Sequence, residues 1–187
     1  MNRLKIFFLV FLLAGNVKFA SAQSDFKQDI ANIKYKYLEL AEFPNYLKKS
    51  AFISEVDSED NKSYIVGELF GYFNKGKLCI IKEHTKHDLG RRTREFYLYE
   101  GKLIFVYEQI QAVQTDTMPN GEIRKKPEVI FSCSYYIKDD RLIQKTPKGT
   151  ISPYPAGYSN GKLKEQFLLL VARYSKKLNE VKEPEKK

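Results

Sequence analysis

Two histidines lie close together in the sequence, beside a carboxylate. His84 and His87 are three residues apart, and Asp88 follows directly. Imidazole and carboxylate groups are ligands that zinc and copper take in proteins. The spacing suits a turn or a helix, whereas on a strand the two rings would lie on opposite faces. A small-molecule or metal-binding site at His84 and His87 is therefore kept as the alternative hypothesis.

Positive charge is concentrated in two segments, 83–92 and 111–127. Arg94 lies just beyond the first of them. The candidate ligand-binding residues are Lys86, Arg91, Arg92, Arg94, Arg124, Lys125 and Lys126. Cations brought to one edge of a domain create a field that attracts anions, and the planar guanidinium group suits phosphate and carboxylate. The competing interpretation is that these residues only keep the protein soluble, with nearby acids such as Glu83 and Asp88 offsetting their charge.

Catalytic signatures are missing from the sequence. It contains no Gly-rich phosphate loop and no GxSxG, HExxH or CxxC motif. Glu68, Glu95 and Glu108 are the carboxylates expected on strands. Glu108 interrupts an apolar run at 104–107, but we expect its side chain to face solvent. We assign no catalytic residue and no cofactor, and the sequence favours a non-enzymatic protein.

Three segments of the central region share one pattern. Residues 71–80, 96–105 and 135–143 each read as an aromatic strand, a short polar turn, a basic residue and an apolar strand. Gly or Asp occupies the turn positions that need positive φ. Three consecutive tight hairpins predict an antiparallel β-meander of about six strands.

Helical spacing flanks this central region. Phe26, Ile30, Ile33, Tyr37 and Leu40 define the apolar face of a predicted N-terminal helix that ends before Pro44. A second apolar series, Leu163, Phe167, Leu170, Tyr174, Leu178 and Val181, predicts a C-terminal helix. Because a helix this apolar must be covered, we expect it to pack on the sheet. The predicted fold class is α+β.

In a meander, successive turns alternate between the two ends of the sheet. The three tight hairpins should therefore share one end, and the longer connections 83–92 and 111–127 should share the other. Asn120-Gly121 is a strong hairpin signal, so 111–127 is alternatively a long hairpin arm, with Pro127 at an edge or a bulge. Both alternatives bring the basic segments to one end.

The first 22 residues have the features of a secretory signal peptide. Arg3 and Lys5 precede an apolar run at 6–14, and Ala20-Ser21-Ala22 is a small-residue cleavage site. We expect a single domain at 23–182, a charged tail at 183–187, and a periplasmic or secreted location. No later apolar run is long enough to form a membrane-spanning helix.

Export would permit a disulfide between the two cysteines, Cys79 and Cys133. They are expected three strands apart in a flat sheet, roughly 14 Å at ~4.8 Å per strand, which exceeds disulfide reach. We predict two buried free thiols.

The hairpin run from Gly71-Tyr72-Phe73 through Asp88-Leu89-Gly90 to the strand ending at Val106 resembles small uncharacterised exported β-meander proteins of Gram-negative bacteria. That resemblance covers about the central half of the chain and implies no activity. The sequence thus favours an exported binding or interaction module. Its expected partner is an anionic cell-envelope component or an acidic protein surface, and no nucleic-acid partner is expected.

Overall fold

The structure is a computed structural model. It describes residues 25–56, 63–118, 122–149 and 151–182. The expected signal peptide at 1–22, the Asn120-Gly121 turn signal and the charged tail at 183–187 lie outside the described residues. Within the described residues, no helix is long and apolar enough to cross a membrane.

Two helices flank a seven-stranded sheet. Helix α1 covers residues 25–42. The strands follow as β1 Leu47–Val56, β2 Ser63–Asn74, β3 Lys77–His87, β4 Gly90–Tyr99, β5 Lys102–Thr117, β6 Ile123–Lys138 and β7 Arg141–Gly149, and helix α2 covers Asn160–Glu180. The α+β class, the antiparallel meander and the presence of two helices agree with the sequence prediction.

Each strand pairs only with its neighbours in the chain, and every pairing is antiparallel. Three two-residue turns join β2 to β3, β4 to β5 and β6 to β7. Both residues of each turn have positive φ, as in Lys75-Gly76 (49° and 76°), Glu100-Gly101 (52° and 78°) and Asp139-Asp140 (47° and 55°). Such turns match the twist of the flanking strands. As predicted, these three hairpins share one end of the sheet.

The sheet has seven strands where about six were expected. The strand that sequence analysis missed is β1, which lies at the edge of the sheet. Lys48 and Lys49 follow its first residue, and Ile53 is its only buried residue. A strand with so little buried surface has no clear alternation of apolar and polar residues, which is why β1 could not be recognised in the sequence.

The two segments expected to be long connections are mostly strand. Between His87 and Gly90 only Asp88 and Leu89 remain as a turn, so the expected connection at 83–92 is wrong. The segment 111–127 is the hairpin arm that the alternative interpretation described. Its strands pair from Gln111 opposite Val129 to Thr117 opposite Ile123, and Pro127 lies opposite Val113.

Helix α2 covers one face of the sheet, called here the α2 face. The buried side chains of α2 are Leu163, Phe167, Tyr174 and Leu178. They share one core with strand residues such as Ile81, Phe96, Val106 and Tyr135. The C-terminal end of α2 reaches the β1 edge, where the Lys49 Nζ donates a hydrogen bond to the Val181 carbonyl (3.0 Å).

Helix α1 covers the hairpin end of the opposite face, called here the α1 face. Ile30 and Ile33 of the helix pack in a second core with Tyr97, Phe105 and other strand residues. The Tyr37 ring stacks on the Phe105 ring with centroids 4.1 Å apart. The sheet is therefore covered on both faces at its hairpin end.

The two cysteines are free, as predicted. Cys79 is half-buried in the core on the α1 face, whereas Cys133 is buried in the core on the α2 face. Because the sheet itself separates them, the fold leaves them no route to a disulfide.

We expect the α2 contact to contribute strongly to stability. Leu178→Ala removes a side chain that is 0% exposed and should lower the free energy of unfolding by about 2–5 kcal/mol. Leu169→Ala is the matched control on the same helix, because Leu169 is 72% exposed, and should change it by less than about 0.5 kcal/mol. Urea unfolding of both variants tests this, and equal losses would contradict the packing described.

Candidate functional site

Three charged side chains lie buried in a row across the centre of the sheet. Glu83 on β3 faces Arg94 on β4, and Arg94 faces Glu108 on β5. Their exposed fractions are 1%, 3% and 0%. Because directly opposite residues share a face, all three side chains point beneath α2. A row of alternating charge thus replaces apolar packing there, and its members must stabilise one another.

Glu83 and Arg94 form a bidentate ion pair. The Arg94 Nε donates to Glu83 Oε2 (2.9 Å), and the Arg94 Nη2 donates to Glu83 Oε1 (2.7 Å). The Thr85 hydroxyl donates a further bond to Oε1 (3.2 Å). Burial lowers the pKa of Arg94, but the Glu83 carboxylate outweighs burial and leaves that pKa raised. Arg94 is therefore a fixed positive charge whose orientation Glu83 determines.

Glu108 accepts hydrogen bonds from two tyrosines. The hydroxyl groups of Tyr135 (3.0 Å) and Tyr154 (2.8 Å) both donate to its Oε2. Burial, and then the Glu108 charge, raises the pKa of both tyrosines, so each hydroxyl keeps its proton. The Glu108 Oε1 is buried and has no hydrogen-bond partner among the described residues.

A recess of about 300 Å³ opens between α2 and the end of the sheet that carries the β3–β4 turn. We call it the arginine recess, because Arg92, Arg94 and Arg173 contribute to its wall. The other lining residues are Ile53, Glu55, Val66, Glu83, Thr85, Lys86, His87, Asp88 and Tyr174. The recess joins a sheet edge to a helix and holds side chains from β1, β2, β3, β4 and α2.

Two arginine nitrogens at this recess are buried without a partner. The Nε of Arg92 and the Nη1 of Arg94 have no hydrogen-bond acceptor among the described residues. Leaving a charged donor unpaired in a buried position costs free energy. Guanidinium donors suit the oxygens of phosphate or carboxylate, and Arg92 and Arg94 both line the recess.

The third arginine and the recess acids are more exposed. The Arg173 Nη2 donates to the Tyr174 hydroxyl (3.3 Å), and its guanidinium lies 5.1 Å from the Tyr174 ring centroid. Glu55 and Asp88 are exposed, so water screens their charge. Glu83 is buried, but its carboxylate is occupied by Arg94. Glu83 therefore offsets the charge of Arg94, and Glu108 lies opposite Arg94 on the neighbouring strand.

The structure brings together three of the seven candidate ligand-binding residues. Lys86, Arg92 and Arg94 line the arginine recess. Arg91 precedes Arg92 on the same strand and therefore lies on the α1 face. Arg124, Lys125 and Lys126 are exposed on β6 in the hairpin arm. The expected single basic end is thus divided among the recess, the opposite sheet face and the arm.

The two histidines lie apart on β3, as the strand alternative required. The His84 Nδ1 lies 3.1 Å from the Thr93 Oγ1, and its ring meets the Phe70 ring edge-on at 5.7 Å. His87 lines the arginine recess, and its Nδ1 accepts from the Leu89 backbone N–H (3.2 Å). Within the described ranges, no group of three or more His, Cys, Asp or Glu side chains could hold a metal ion.

Sequence reasoning missed two important side chains. Glu108 was expected to face solvent, and that expectation is wrong because the side chain is fully buried. Its signal was available: Glu108 lies two residues from Val106 and two from Ile110, both buried on the same face. Arg173 carried no comparable signal, since one arginine on a helix is ordinary.

Comparison with known proteins adds no further constraint, because no family model, curated protein or solved structure matches this chain.

The Glu108 interactions can be tested by substitution. Glu108→Leu removes the acceptor of two buried tyrosine hydroxyls and should lower the free energy of unfolding by about 2–5 kcal/mol. Glu108→Gln keeps an acceptor oxygen and should cost less than half as much. Urea unfolding measures both, and a leucine variant as stable as the glutamine variant would refute the assigned contacts.

His84 should make stability depend on pH. Burial, and then Arg91, lowers its pKa below 6.5, so the unfolded chain binds a proton more readily than the folded one. This contribution is complete above pH 6.5 and is lost as pH falls toward the folded-state pKa. The free energy of unfolding should fall between about pH 7.5 and pH 5.5, and it should fall less in His84→Gln. An NMR titration midpoint for His84 at or above 6.5 would contradict this.

Proposed function

We propose that the protein is an exported, non-enzymatic binding module whose arginine recess takes the phosphate or carboxylate group of an anionic cell-envelope component. The observation that carries this proposal is the pair of buried, unpartnered donors, Arg92 Nε and Arg94 Nη1, at one recess. Both nitrogens are buried, so an anion that enters the recess and displaces their cover would satisfy donors that the described residues leave unpaired.

The buried ion pair supports the proposal by preparing the site. Glu83 holds two nitrogens of Arg94, so the remaining Nη1 is fixed in direction before any ligand arrives. A ligand that meets a fixed guanidinium loses less free energy to side-chain ordering. Arg173, which is exposed on α2, can approach the same anion from the opposite wall.

The shape of the site favours a compact anionic group over a broad acidic protein surface. Arg92 and Arg94 lie in a recess of about 300 Å³, at the lower end of the size range of small-ligand pockets. A flat partner would instead need cations spread over one exposed face. Lys125 and Lys126 are exposed in the arm, and the ligand proposed here does not require them.

The exported location rests on the N-terminal sequence. A basic start, an apolar run and a small-residue cleavage site are typical of secretory signal peptides. An exported protein meets phosphate and carboxylate groups on lipids and cell-wall polymers, which is why an envelope component is the proposed ligand class. The metal-binding alternative has weaker support, because His84 and His87 lie on opposite faces of β3.

Isothermal titration calorimetry of the purified protein tests the recess. The probes are inorganic phosphate, glycerol phosphate and acetate, each at low and high ionic strength. We expect saturable binding of at least one probe, weaker at high salt because the attraction is electrostatic. Arg92→Gln should lower the affinity about tenfold or more, since it removes a charged donor.

Arg91→Gln is the matched control. It removes the same charge one residue away, but on the α1 face, and should change the affinity less than about twofold. No binding of any probe would refute the proposal. Equal losses in the two variants would also refute it, because they would indicate a general charge effect instead of a defined site.

A further inference from the structure

The hairpin arm extends beyond the rest of the sheet. The pairing of β4 with β5 ends at Gln111, and the pairing of β7 with β6 ends at Phe131. The part of the arm that pairs with no other strand is residues 112–117 of β5 and 123–128 of β6, from Ala112 opposite Glu128 to Thr117 opposite Ile123. Its tip is closed by a backbone hydrogen bond from the Met118 N–H to the Glu122 carbonyl (2.8 Å). A two-stranded ribbon alone is marginally stable in water.

The two outer edges of the arm differ in chemistry. The β6 edge carries Arg124, Lys125, Lys126 and Pro127. Lysine, arginine and proline on an edge strand discourage pairing with another chain. The β5 edge at 113–117 reads Val-Gln-Thr-Asp-Thr, with no lysine, arginine or proline and with three β-branched residues. This edge is well suited to strand pairing.

The two outer strands of the sheet also carry features that discourage pairing with another chain. On β1 the protecting features are Lys48, Lys49 and an irregular register at Ile53/Ser54. On β7 they are Lys145, Pro147 and Lys148. Among the strands that the structure describes, the arm segment of β5 is therefore the open edge that lacks these protections.

Gly90 limits the length of this open edge. It is the first residue of β4, and a Cβ added to it would lie 2.1 Å from the Gln111 carbonyl oxygen and 3.0 Å from the Ala112 Cα. The backbone of β4 therefore abuts β5 as far as Ala112. Beyond it, Val113, Gln114, Thr115 and Thr117 are exposed, and the free edge covers five residues, 113–117.

We propose that this edge pairs with the same edge of a second copy of the chain, antiparallel and around a two-fold axis at Thr115. Thr115 then lies opposite Thr115 of the second copy, and Val113 lies opposite Thr117. Gln114 lies opposite Asp116, so no like charges face each other. The two arms form a four-stranded sheet in the order β6–β5–β5–β6.

The lengths of the strands favour a second copy over an unrelated strand. Five paired residues span about 17 Å at roughly 3.4 Å per residue. Thr117, the last residue of β5, then lies opposite Val113 of the second copy, one residue from Ala112, where β4 of that copy begins. Val113, Thr115 and Thr117 share one face of the arm with Ile123, Lys125 and Pro127, and self-pairing places these faces of the two arms side by side.

Two double variants that differ only in the sign of one charge test this pairing. Val113→Glu/Thr117→Glu places two negative charges opposite each other at both ends of the pairing and should abolish dimers. Val113→Lys/Thr117→Glu places opposite charges there and should retain them. Neither position faces a charged residue within its own arm, where the partners are Pro127 and Ile123.

Light scattering after size exclusion, over a range of protein concentrations, measures the mass of each protein. We expect twice the chain mass for the parent and for the Lys/Glu variant, and the single chain mass for the Glu/Glu variant. Circular dichroism should be the same for all three, because both substituted positions are exposed. A monomeric parent, a dimeric Glu/Glu variant or a monomeric Lys/Glu variant would each overturn the proposal.

Discussion

The bidentate pairing of Glu83 with Arg94 is the constraint on which the rest of the structure depends. Both groups lie beneath α2, where neither charge is tolerable alone. Their opposition fixes the register of β3 against β4, because a slip of one residue between the strands would place the two charges on opposite faces of the sheet. Glu108 and its two tyrosines extend the same polar row to β5 and β6. A buried ion pair adds little net stability, so we infer that this one contributes mainly to the specificity of register.

The elements in which apolar and polar residues alternate clearly, or in which apolar residues recur at helical spacing, were predictable from sequence. The three hairpins, the apolar face of α2 and the separation of the two cysteines followed from local rules. Strand β1 did not, because an edge strand with one buried residue has no recognisable pattern. The length of β3 was also missed: polar residues 83–87 look like a loop unless Glu83 is known to be paired.

The site was harder to predict than the fold for a related reason. Seven cationic residues were predicted as ligand-binding residues. Which of them lie together depends on the sheet face to which each side chain points and on where α2 crosses the sheet. Arg91 and Arg92 are neighbours in sequence and lie on opposite faces. Arg173 joins the recess from a helix about eighty residues away, a contact that one sequence cannot indicate. Glu108 looks solvated in the sequence but is buried, and tyrosines from β6 and a loop donate to its Oε2.

The strictly sequential strand order affects how the chain can fold. Every strand finds its partner in the adjacent segment, so the loop-closure entropy of each pairing is small and pairing can proceed in chain order. The exceptions are the two helices, since α1 packs on β3 to β6 from the N-terminal end of the chain and α2 contacts the first three strands from the C-terminal end. Until α2 docks, the row of buried charges remains open to water and pays no desolvation cost. Docking of α2 is therefore the step that removes water from the row of buried charges, and it completes the packing of the sheet in a single step.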